Sequence, residues 1–259
     1  GYNLMHLMIG SEGTLGVITK AVIKLYPKSK FSVTLLVPFN RRLDAINVVP
    51  KILQSGITPL AIEYVEEEEI EKAAEHLNEK WPVEEGKAQL IIILTGMNED
   101  ELFSECEEIS EICQKNGALE TVLAETRQEQ DRVLKIRSNV YTALKPEMCD
   151  ILDVTVPPSR LGDLMDAVDE IAKKYGARIP VYGHAGDGNL HAHIMKEDGR
   201  EPEYSERMRK DIYKAGVSLG GVITGEHGIG KIRVKNLDLF LSKKEMELMK
   251  AMKSMFDPN

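Results

Sequence analysis

The pattern of apolar residues between positions 31 and 124 constrains the fold of this chain most strongly. Short apolar runs typical of strands alternate there with amphipathic stretches typical of helices. The strand candidates are FSVTLLVPF, PLAIEYVE, AQLIIILTG and ALETVLA, and the helix candidates are LDAINVVPKILQSG, EEEIEKAAEHLNEKW and NEDELFSECEEISEICQKNG. Repeated strand–helix–strand units predict an α+β fold, with a ferredoxin-like antiparallel sheet and helices on one face.

The alternation of strands and helices continues towards residue 195. A long helix is predicted over residues 128–144, followed by a strand in ILDVTVP and a helix that begins at Ser159 and ends at Gly176. A strand is also predicted for VITKAVIKLYP near the first residues, and a helix for KEMELMKAMKSMF near the last. The run Glu66–Glu69 is expected to be a solvated helix start. Asn98 is expected to cap the next helix.

Composition excludes several classes of protein. The net charge of −9 argues against nucleic acid as a partner, because phosphate binding needs a basic surface. The run LIIIL is far too short to cross a membrane, so no transmembrane segment is expected. The three cysteines have no metal-like spacing, which suits a reducing compartment, and no signal peptide is apparent. We therefore expect a cytoplasmic protein.

Two glycine-rich stretches concentrate the histidines. GHAGDGNLHAHIM (183–195) and GGVITGEHGIGK (220–231) together hold four of the six histidines. Two imidazoles and a carboxylate from separate segments are a plausible set of ligands for a divalent metal, with open positions for substrate. His184 and His191 are the preferred nitrogen ligands and Glu226 the oxygen ligand, while His193 is a competing ligand or a group that orients one. The alternative is a glycine-rich turn with histidines that serve only packing.

A third stretch, GSEGTLGVIT (10–19), has three glycines just ahead of a predicted strand. It lacks the lysine of a phosphate-binding P-loop and the strand–loop–helix order of a dinucleotide fingerprint. The pattern alone indicates a tight turn, with a cofactor near its backbone as the functional interpretation.

In their order and separation, GSEGTLGVIT, GHAGDGNLH and GEHGIGK resemble FAD-linked oxidases of the glycolate oxidase, D-lactate dehydrogenase and D-2-hydroxyglutarate dehydrogenase type. The chain resembles the C-terminal part of such a protein. The resemblance implies that residues 1–30 are a remnant of the FAD-binding domain and that residues 31–259 are a substrate domain with a metal site. It also implies that most FAD contacts lie in a missing N-terminal domain, so the fragment alone is expected to be inactive.

The resemblance assigns roles to particular residues. It implies a divalent metal (Zn, Fe or Mn) held by His184, His191 and Glu226, and it makes His227 the catalytic base. It places Arg137 at the substrate carboxylate and Asn189 beside the substrate. A guanidinium group can bind a carboxylate through two parallel hydrogen bonds. The flavin pocket would be lined by a set of residues from the first motif: Ser11, Glu12, Gly13, Thr14 and Gly16.

The implied reaction is oxidation of a D-2-hydroxy acid such as D-lactate or glycolate to the 2-keto acid, with hydride transfer to the flavin. Enzymes specific for 2-hydroxyglutarate carry a lysine where this chain has Ile151 and Leu152, so a monocarboxylate substrate is favoured. The implied partners are an electron-transfer flavoprotein or an iron–sulfur subunit, and any association with a membrane surface is expected through them. The alternatives are a zinc-dependent hydrolase, or a non-catalytic subunit that docks an electron-transfer partner.

Overall fold

The computed structural model of the protein describes residues 1–258. These residues divide into two compact units. The sheet unit comprises residues 29–223, and the terminal unit comprises residues 1–28 together with 224–258.

The sheet unit is built on a seven-stranded sheet in which the strand pairs are antiparallel. The strands are β1 (Phe31–Phe39), β2 (Ala61–Glu66), β3 (Ala88–Gly96), β4 (Val122–Ala124), β5 (Met148–Thr155), β6 (Val181–His184) and β7 (Asn189–Met195). Their order across the sheet is β4-β1-β3-β2-β6-β7-β5. The predicted antiparallel α+β fold is confirmed.

The helices of the sheet unit are α2 to α8, and those of the terminal unit are α1, α9 and α10. Their bounds are α1 (Met5–Met8), α2 (Arg42–Gln54), α3 (Glu67–His76), α4 (Glu99–Gln114), α5 (Arg127–Ser138), α6 (Val140–Leu144), α7 (Leu161–Tyr175), α8 (Ser205–Ser218), α9 (Gly230–Arg233) and α10 (Lys243–Phe256). Short 3₁₀ turns cover Pro158–Arg160, Ala185–Asp187 and Val234–Leu239.

Helices cover both faces of the sheet, and not one face as the ferredoxin-like pattern predicted. Helices α3, α5 and α6 bury their apolar sides against one face, where Leu36, Val65 and Ile91 of the strands meet Ile70 and Ile136 of the helices. Helices α2 and α4 pack against β1 and β3 from the other side. Strand β1 is buried at seven successive positions, so both of its faces must be covered to keep apolar side chains from water.

Helix boundaries follow the local chemistry with two exceptions. Asn98 caps α4 by accepting hydrogen bonds from two backbone amides, and α7 ends at Gly176 in the left-handed conformation, both as predicted. The predicted helix 128–144 is divided at Asn139 into α5 and α6. Helix α7 begins after the 3₁₀ turn, and Ser159 makes no capping hydrogen bond.

The prediction that Glu66–Glu69 is a solvated helix start is wrong for two of its residues. The Glu69 side chain is buried and pairs with Arg178. Glu66 pairs with Arg42 at 2.9 Å, and burial raises the pKa of Glu66 to about 7 despite that cation. The charge run indicated exposure, but arginines from distant segments compensate these carboxylates inside the fold.

The strand predicted for VITKAVIKLYP is not formed within the described residues. The segment has no regular secondary structure, and its apolar side chains point into solvent, with Val17 88%, Val22 97% and Leu25 80% exposed. A strand needs a hydrogen-bonded neighbour, and this segment has no strand partner in residues 1–258. Helix α10 forms as predicted and ends before Asp257. Within the described residues, no helix combines the length and the apolar character needed to cross a bilayer.

Candidate functional site

The glycines of GHAGDGNLHAHIM allow β6 and β7 to meet in a tight hairpin. A Cβ on Gly183 would lie 2.5 Å from the Asn189 carbonyl oxygen, and one on Gly188 would lie 1.9 Å from the Val156 carbonyl oxygen. Gly188 also has a left-handed backbone, with φ of 75°. At these two positions the close approach is to neighbouring strands.

The hairpin and its neighbouring strands place several polar side chains on one face of the sheet. His184 lies opposite Glu63 of β2, and His191 lies opposite Tyr182 of β6 and Asp153 of β5. Residues directly opposite each other in a sheet project their side chains to the same side. The ring centroids of His184 and His191 are 5.6 Å apart and their planes are almost perpendicular. The sheet unit therefore brings the two predicted nitrogen ligands together.

Glu63 links two of the predicted site residues. Its Oε1 lies 2.8 Å from His184 Nδ1, and its Oε2 accepts a hydrogen bond of 2.7 Å from Arg137 Nη2. Burial alone would raise the pKa of Glu63, but the His184 hydrogen bond and the Arg137 charge outweigh it and hold the pKa below its usual value. An ionised carboxylate at this place accepts a hydrogen bond from Nδ1–H, which leaves the lone pair of the neutral His184 ring on Nε2.

Arg137, the predicted carboxylate-binding residue, lies on α5 beside this row of side chains. Its guanidinium carbon is 4.8 Å from the centre of the Tyr182 ring, and its side chain is 11% exposed. The Glu63 ion pair and the aromatic face fix the plane of the guanidinium. Its Nε atom has no hydrogen-bond partner among the described residues.

His191 has a carboxylate neighbour of its own. Its Nδ1 lies 3.5 Å from Oδ1 of Asp153, whose side chain is fully buried. Asn189 donates from Nδ2 to Asp153 Oδ1 at 2.8 Å and to Thr155 Oγ1 at 2.9 Å. Oδ1 of Asn189 has no hydrogen-bond partner in the described part of the chain.

His193 lies on the same face of β7, two residues beyond His191. Its ring stacks on Tyr182 with a centroid distance of 4.7 Å, and its Nδ1 is 3.1 Å from the Pro180 carbonyl oxygen. His193 is fully buried. These contacts favour the supporting role of His193 over the role of a competing ligand.

The terminal unit carries Glu226 and His227, which stand in the turn before α9. Glu226 Oε1 lies 3.7 Å from His227 Nε2, and both side chains are partly exposed. Glu12, predicted to line the flavin pocket, accepts hydrogen bonds from the amides of Ile229 at 2.8 Å and Gly230 at 2.9 Å. Glu12 thus ties the motif GSEGTLG to the motif GEHGIGK inside this unit.

The other residues predicted for the flavin pocket form a compact turn. Ser11 Oγ donates to the Met8 carbonyl oxygen at 2.9 Å, and Thr14 Oγ1 donates to the Ser11 carbonyl oxygen at 2.7 Å. Gly13 is left-handed with φ of 74°, and a Cβ on Gly16 would meet no atom within 4 Å. The predicted tight turn is therefore present, and its contact with a flavin stays a prediction.

Glu12→Gln is expected to loosen the start of α9, because glutamine offers one side-chain acceptor where two amides now bind a carboxylate. Hydrogen exchange at the amides of Ile229 and Gly230 should become faster by about three- to tenfold. Glu247→Gln, an exposed change on α10 of the same unit, is the matched control and should leave both exchange rates unaltered. Equal protection in the Glu12 variant and the parent would contradict the assigned contact.

Sequence reasoning missed Glu63, Asp153 and Tyr182. Glu63 stands in the apolar strand AIEYVE and Asp153 in ILDVTV, where a lone carboxylate interrupts a buried run. A carboxylate in such a run requires a compensating partner, and that was the available signal. The partners come from β6, β7 and α5, so their identity depends on strand pairing.

The family described as "FAD linked oxidases, C-terminal domain" matches residues 28–259. D-lactate dehydrogenase of Archaeoglobus fulgidus is 40% identical over 258 residues, which is 100% of this chain and 56% of that protein. Glycolate oxidase subunit GlcD of Bacillus subtilis is 35% identical over 264 residues, which is 100% of this chain and 55% of that protein. The chain spans about half the length of these curated relatives.

Two solved structures share the fold at low identity. The 4-ethylphenol oxidase from Gulosibacter chungangensis has a TM-score of 0.65 and 12% identity over 91% of this chain and 53% of its own. An alkyldihydroxyacetonephosphate synthase has a TM-score of 0.58 and 18% identity over 100% of this chain and 49% of its own. The family match and the 232-residue span from 28 to 259 together establish that this chain belongs to the FAD-linked oxidases and contains their C-terminal domain.

Proposed function

We propose that this chain supplies the metal-binding and substrate-binding part of an FAD-dependent oxidoreductase that converts a D-2-hydroxy acid to the 2-keto acid. One observation carries the proposal. His184 and His191 project from paired strands to one face with ring centroids 5.6 Å apart, and each has a buried carboxylate beside it. Histidine ligands of metals commonly carry such a carboxylate on their second nitrogen.

The donor set fits a divalent metal. The Glu63 contact at Nδ1 of His184 leaves Nε2 with a lone pair, as a metal ligand requires. His184 and His191 would hold the ion, and Glu226 would supply the oxygen ligand that the sequence motif predicts. Two imidazoles and one carboxylate suit Zn²⁺, Fe²⁺ or Mn²⁺. A bound metal would act as a Lewis acid that lowers the pKa of the substrate hydroxyl.

The chain's own residues would bind and orient the substrate. Arg137, held by Glu63 and the Tyr182 ring, would bind the substrate carboxylate. Asn189, held by Asp153 and Thr155, would lie beside the substrate. His227 would take the hydroxyl proton as the Cα–H bond breaks, with a flavin as the hydride acceptor.

A monocarboxylate substrate is supported by the side chain at position 151. Ile151 lies opposite His193 in the β5–β7 pair and so shares the face of the site, whereas Leu152 projects to the other face. An isoleucine here offers no cation to a second carboxylate. D-lactate and glycolate are the proposed substrates, and the names of the two relatives, D-lactate dehydrogenase and glycolate oxidase subunit, agree with them.

The proposal assigns residues 1–30 to the flavin-binding part of the enzyme. The apolar side chains of residues 17–26 support this assignment. They alternate as in a strand and are exposed, as expected of a strand that another sheet would cover. Most FAD contacts would then come from a flavin-binding domain that is not among the described residues. The electron acceptor is proposed to be an electron-transfer flavoprotein or an iron–sulfur subunit, in line with a relative named as a subunit.

Metal analysis of the purified chain tests the centre of this proposal. The parent, prepared without chelator, should contain about one equivalent of a divalent metal, and His184→Ala should contain essentially none. His193→Gln is the matched control, since this neighbouring histidine is assigned a supporting role and should retain the metal. A metal-free parent would count against the site, and loss of metal in the His193 variant alone would move the ligand assignment to His193.

A flavin spectrum separates the proposed oxidoreductase from a hydrolase. The protein that combines this chain with its flavin-binding segment should be yellow, and D-lactate or glycolate should bleach the flavin absorbance under anaerobic conditions. A colourless protein that hydrolyses esters or amides would contradict the proposal.

A further inference from the structure

We propose that Glu63 is a positioning residue that holds the metal-binding histidine His184 and the carboxylate-binding Arg137 at the same time. The inference rests on the proposed function, because it assigns Glu63 a task in that site. It concerns a residue of β2, which none of the three sequence motifs contains.

The geometry assigns one oxygen of Glu63 to each partner. Oε1 meets His184 Nδ1 at 2.8 Å, while Oε2 meets Arg137 Nη2 at 2.7 Å. Glu63 as a whole is 9% exposed, so water cannot readily replace either contact. Strand register places Glu63 directly opposite His184, and α5 brings Arg137 over the neighbouring Tyr182 ring. The carboxylate is therefore a bridge between a strand residue and a helix residue.

The bridge determines which nitrogen of His184 can bind a metal. A carboxylate oxygen has no proton to donate, so Nδ1 of His184 must be the donor and carry the hydrogen. The lone pair of the neutral ring is then on Nε2, which points away from Glu63. Without the carboxylate the ring has no such preference at Nδ1, and part of the population has the proton on Nε2, where it blocks a metal.

Glu63→Gln replaces the carboxylate with an amide and changes the side-chain volume little. Glutamine has one acceptor oxygen, yet both His184 Nδ1–H and Arg137 Nη2–H need an acceptor. If the oxygen stays with Arg137, the amide donates to Nδ1 and moves the proton of His184 to Nε2. The reverse arrangement would set two donors against each other at Arg137, whose guanidinium is permanently charged and has no other tautomer, so the oxygen stays with Arg137. Glu63→Gln therefore shifts the proton of His184 to Nε2 and weakens the site.

The control is Glu66→Gln on the same strand. Glu66 is also largely buried and ion-paired with an arginine, Arg42 at 2.9 Å, but it lies three residues on and projects to the opposite face. Loss of a buried carboxylate is thus common to both variants, whereas only Glu63 contacts His184.

Zn²⁺ affinity of the chain, measured by competition with a chromophoric chelator, gives the first result. Glu63→Gln should weaken Zn²⁺ binding by about 10- to 100-fold, Glu63→Asp should restore part of it, and Glu66→Gln should bind as the parent does. The second result needs no metal. ¹⁵N shifts of the histidine rings in the metal-free chain should show His184 protonated at Nδ1 in the parent and in Glu66→Gln, with that preference lost in Glu63→Gln.

Three outcomes would overturn the inference: unchanged Zn²⁺ affinity in Glu63→Gln, an unchanged His184 tautomer, or an equal loss of affinity in Glu66→Gln. A parent that binds no Zn²⁺ would instead overturn the metal site of the proposed function. In that event the ring ¹⁵N shifts still decide whether Glu63 sets the protonation of His184, so the two failures are distinguishable.

Discussion

Replacing His227 with alanine in the assembled FAD-containing enzyme is expected to lower kcat by about 10²- to 10⁴-fold, the usual contribution of a positioned general base. The imidazole is partly exposed and 3.7 Å from Glu226, so it is accessible to solvent and can release a proton after each turnover. Alanine cannot accept the hydroxyl proton of the substrate. Steady-state kinetics with D-lactate and glycolate over a range of pH would measure the loss.

The same variant separates catalysis from metal binding. Because His227 is proposed as the base and not as a ligand, the metal content of His227→Ala should equal that of the parent, and the substrate should still bind. His76→Ala, an exposed histidine on α3, is the matched control and should keep full turnover. A His227 variant with near-normal kcat would remove this residue from the role of base. A variant that lost its metal would make His227 a ligand.

Gly188→Ala is expected to destabilise the chain by roughly 3–5 kcal/mol, among the largest effects of a single methyl group. Two causes add. The backbone has φ of 75°, a conformation that costs an L-residue about 1–2 kcal/mol. The new Cβ would also lie 1.9 Å from the Val156 carbonyl oxygen, so the β6–β7 turn must move away from the end of β5. Urea unfolding followed by circular dichroism would measure the change.

Gly199→Ala isolates the first cause. Gly199 has the same φ of 75°, but a Cβ there meets no atom within 4 Å, so this control should lose only about 1–2 kcal/mol. Any excess loss in the Gly188 variant measures the clash. Because the displaced turn carries His184 and Asn189, Zn²⁺ affinity should fall in Gly188→Ala and stay unchanged in Gly199→Ala. Equal stability of the two variants would contradict the assigned close approach.

Local chemistry in the sequence was enough to predict much of the fold. Asn98 caps α4 and Gly176 ends α7 because capping depends on a few neighbouring residues. The alternation of short apolar runs with amphipathic stretches predicted an antiparallel sheet, since apolar strands and amphipathic helices bury their surfaces in few ways. Alternation of apolar and other residues within VITKAVIKLYP predicted a strand there, which is absent because such a pattern cannot supply a pairing partner.

Motif chemistry also singled out two histidines that lie close together in the sheet unit. His184 and His191 were singled out by their density among glycines, and the structure brings their rings together. The sequence could not rank His193 as a supporting residue, because that depends on the stacking of its ring on Tyr182. It could not assign Glu12 to the amides of Ile229 and Gly230, more than two hundred positions away.

By itself, then, the sequence determined the antiparallel α+β fold, the resemblance to FAD-linked oxidases and the two histidines of the candidate site. These follow from short-range patterns, where spacing along the chain decides which side chains share a face. Only the tertiary structure decided that Glu63 and Asp153 stand beside those histidines and that Glu63 also holds Arg137. The physical reason is strand pairing: the register of β2 with β6 and of β5 with β7 sets which buried carboxylate meets which imidazole.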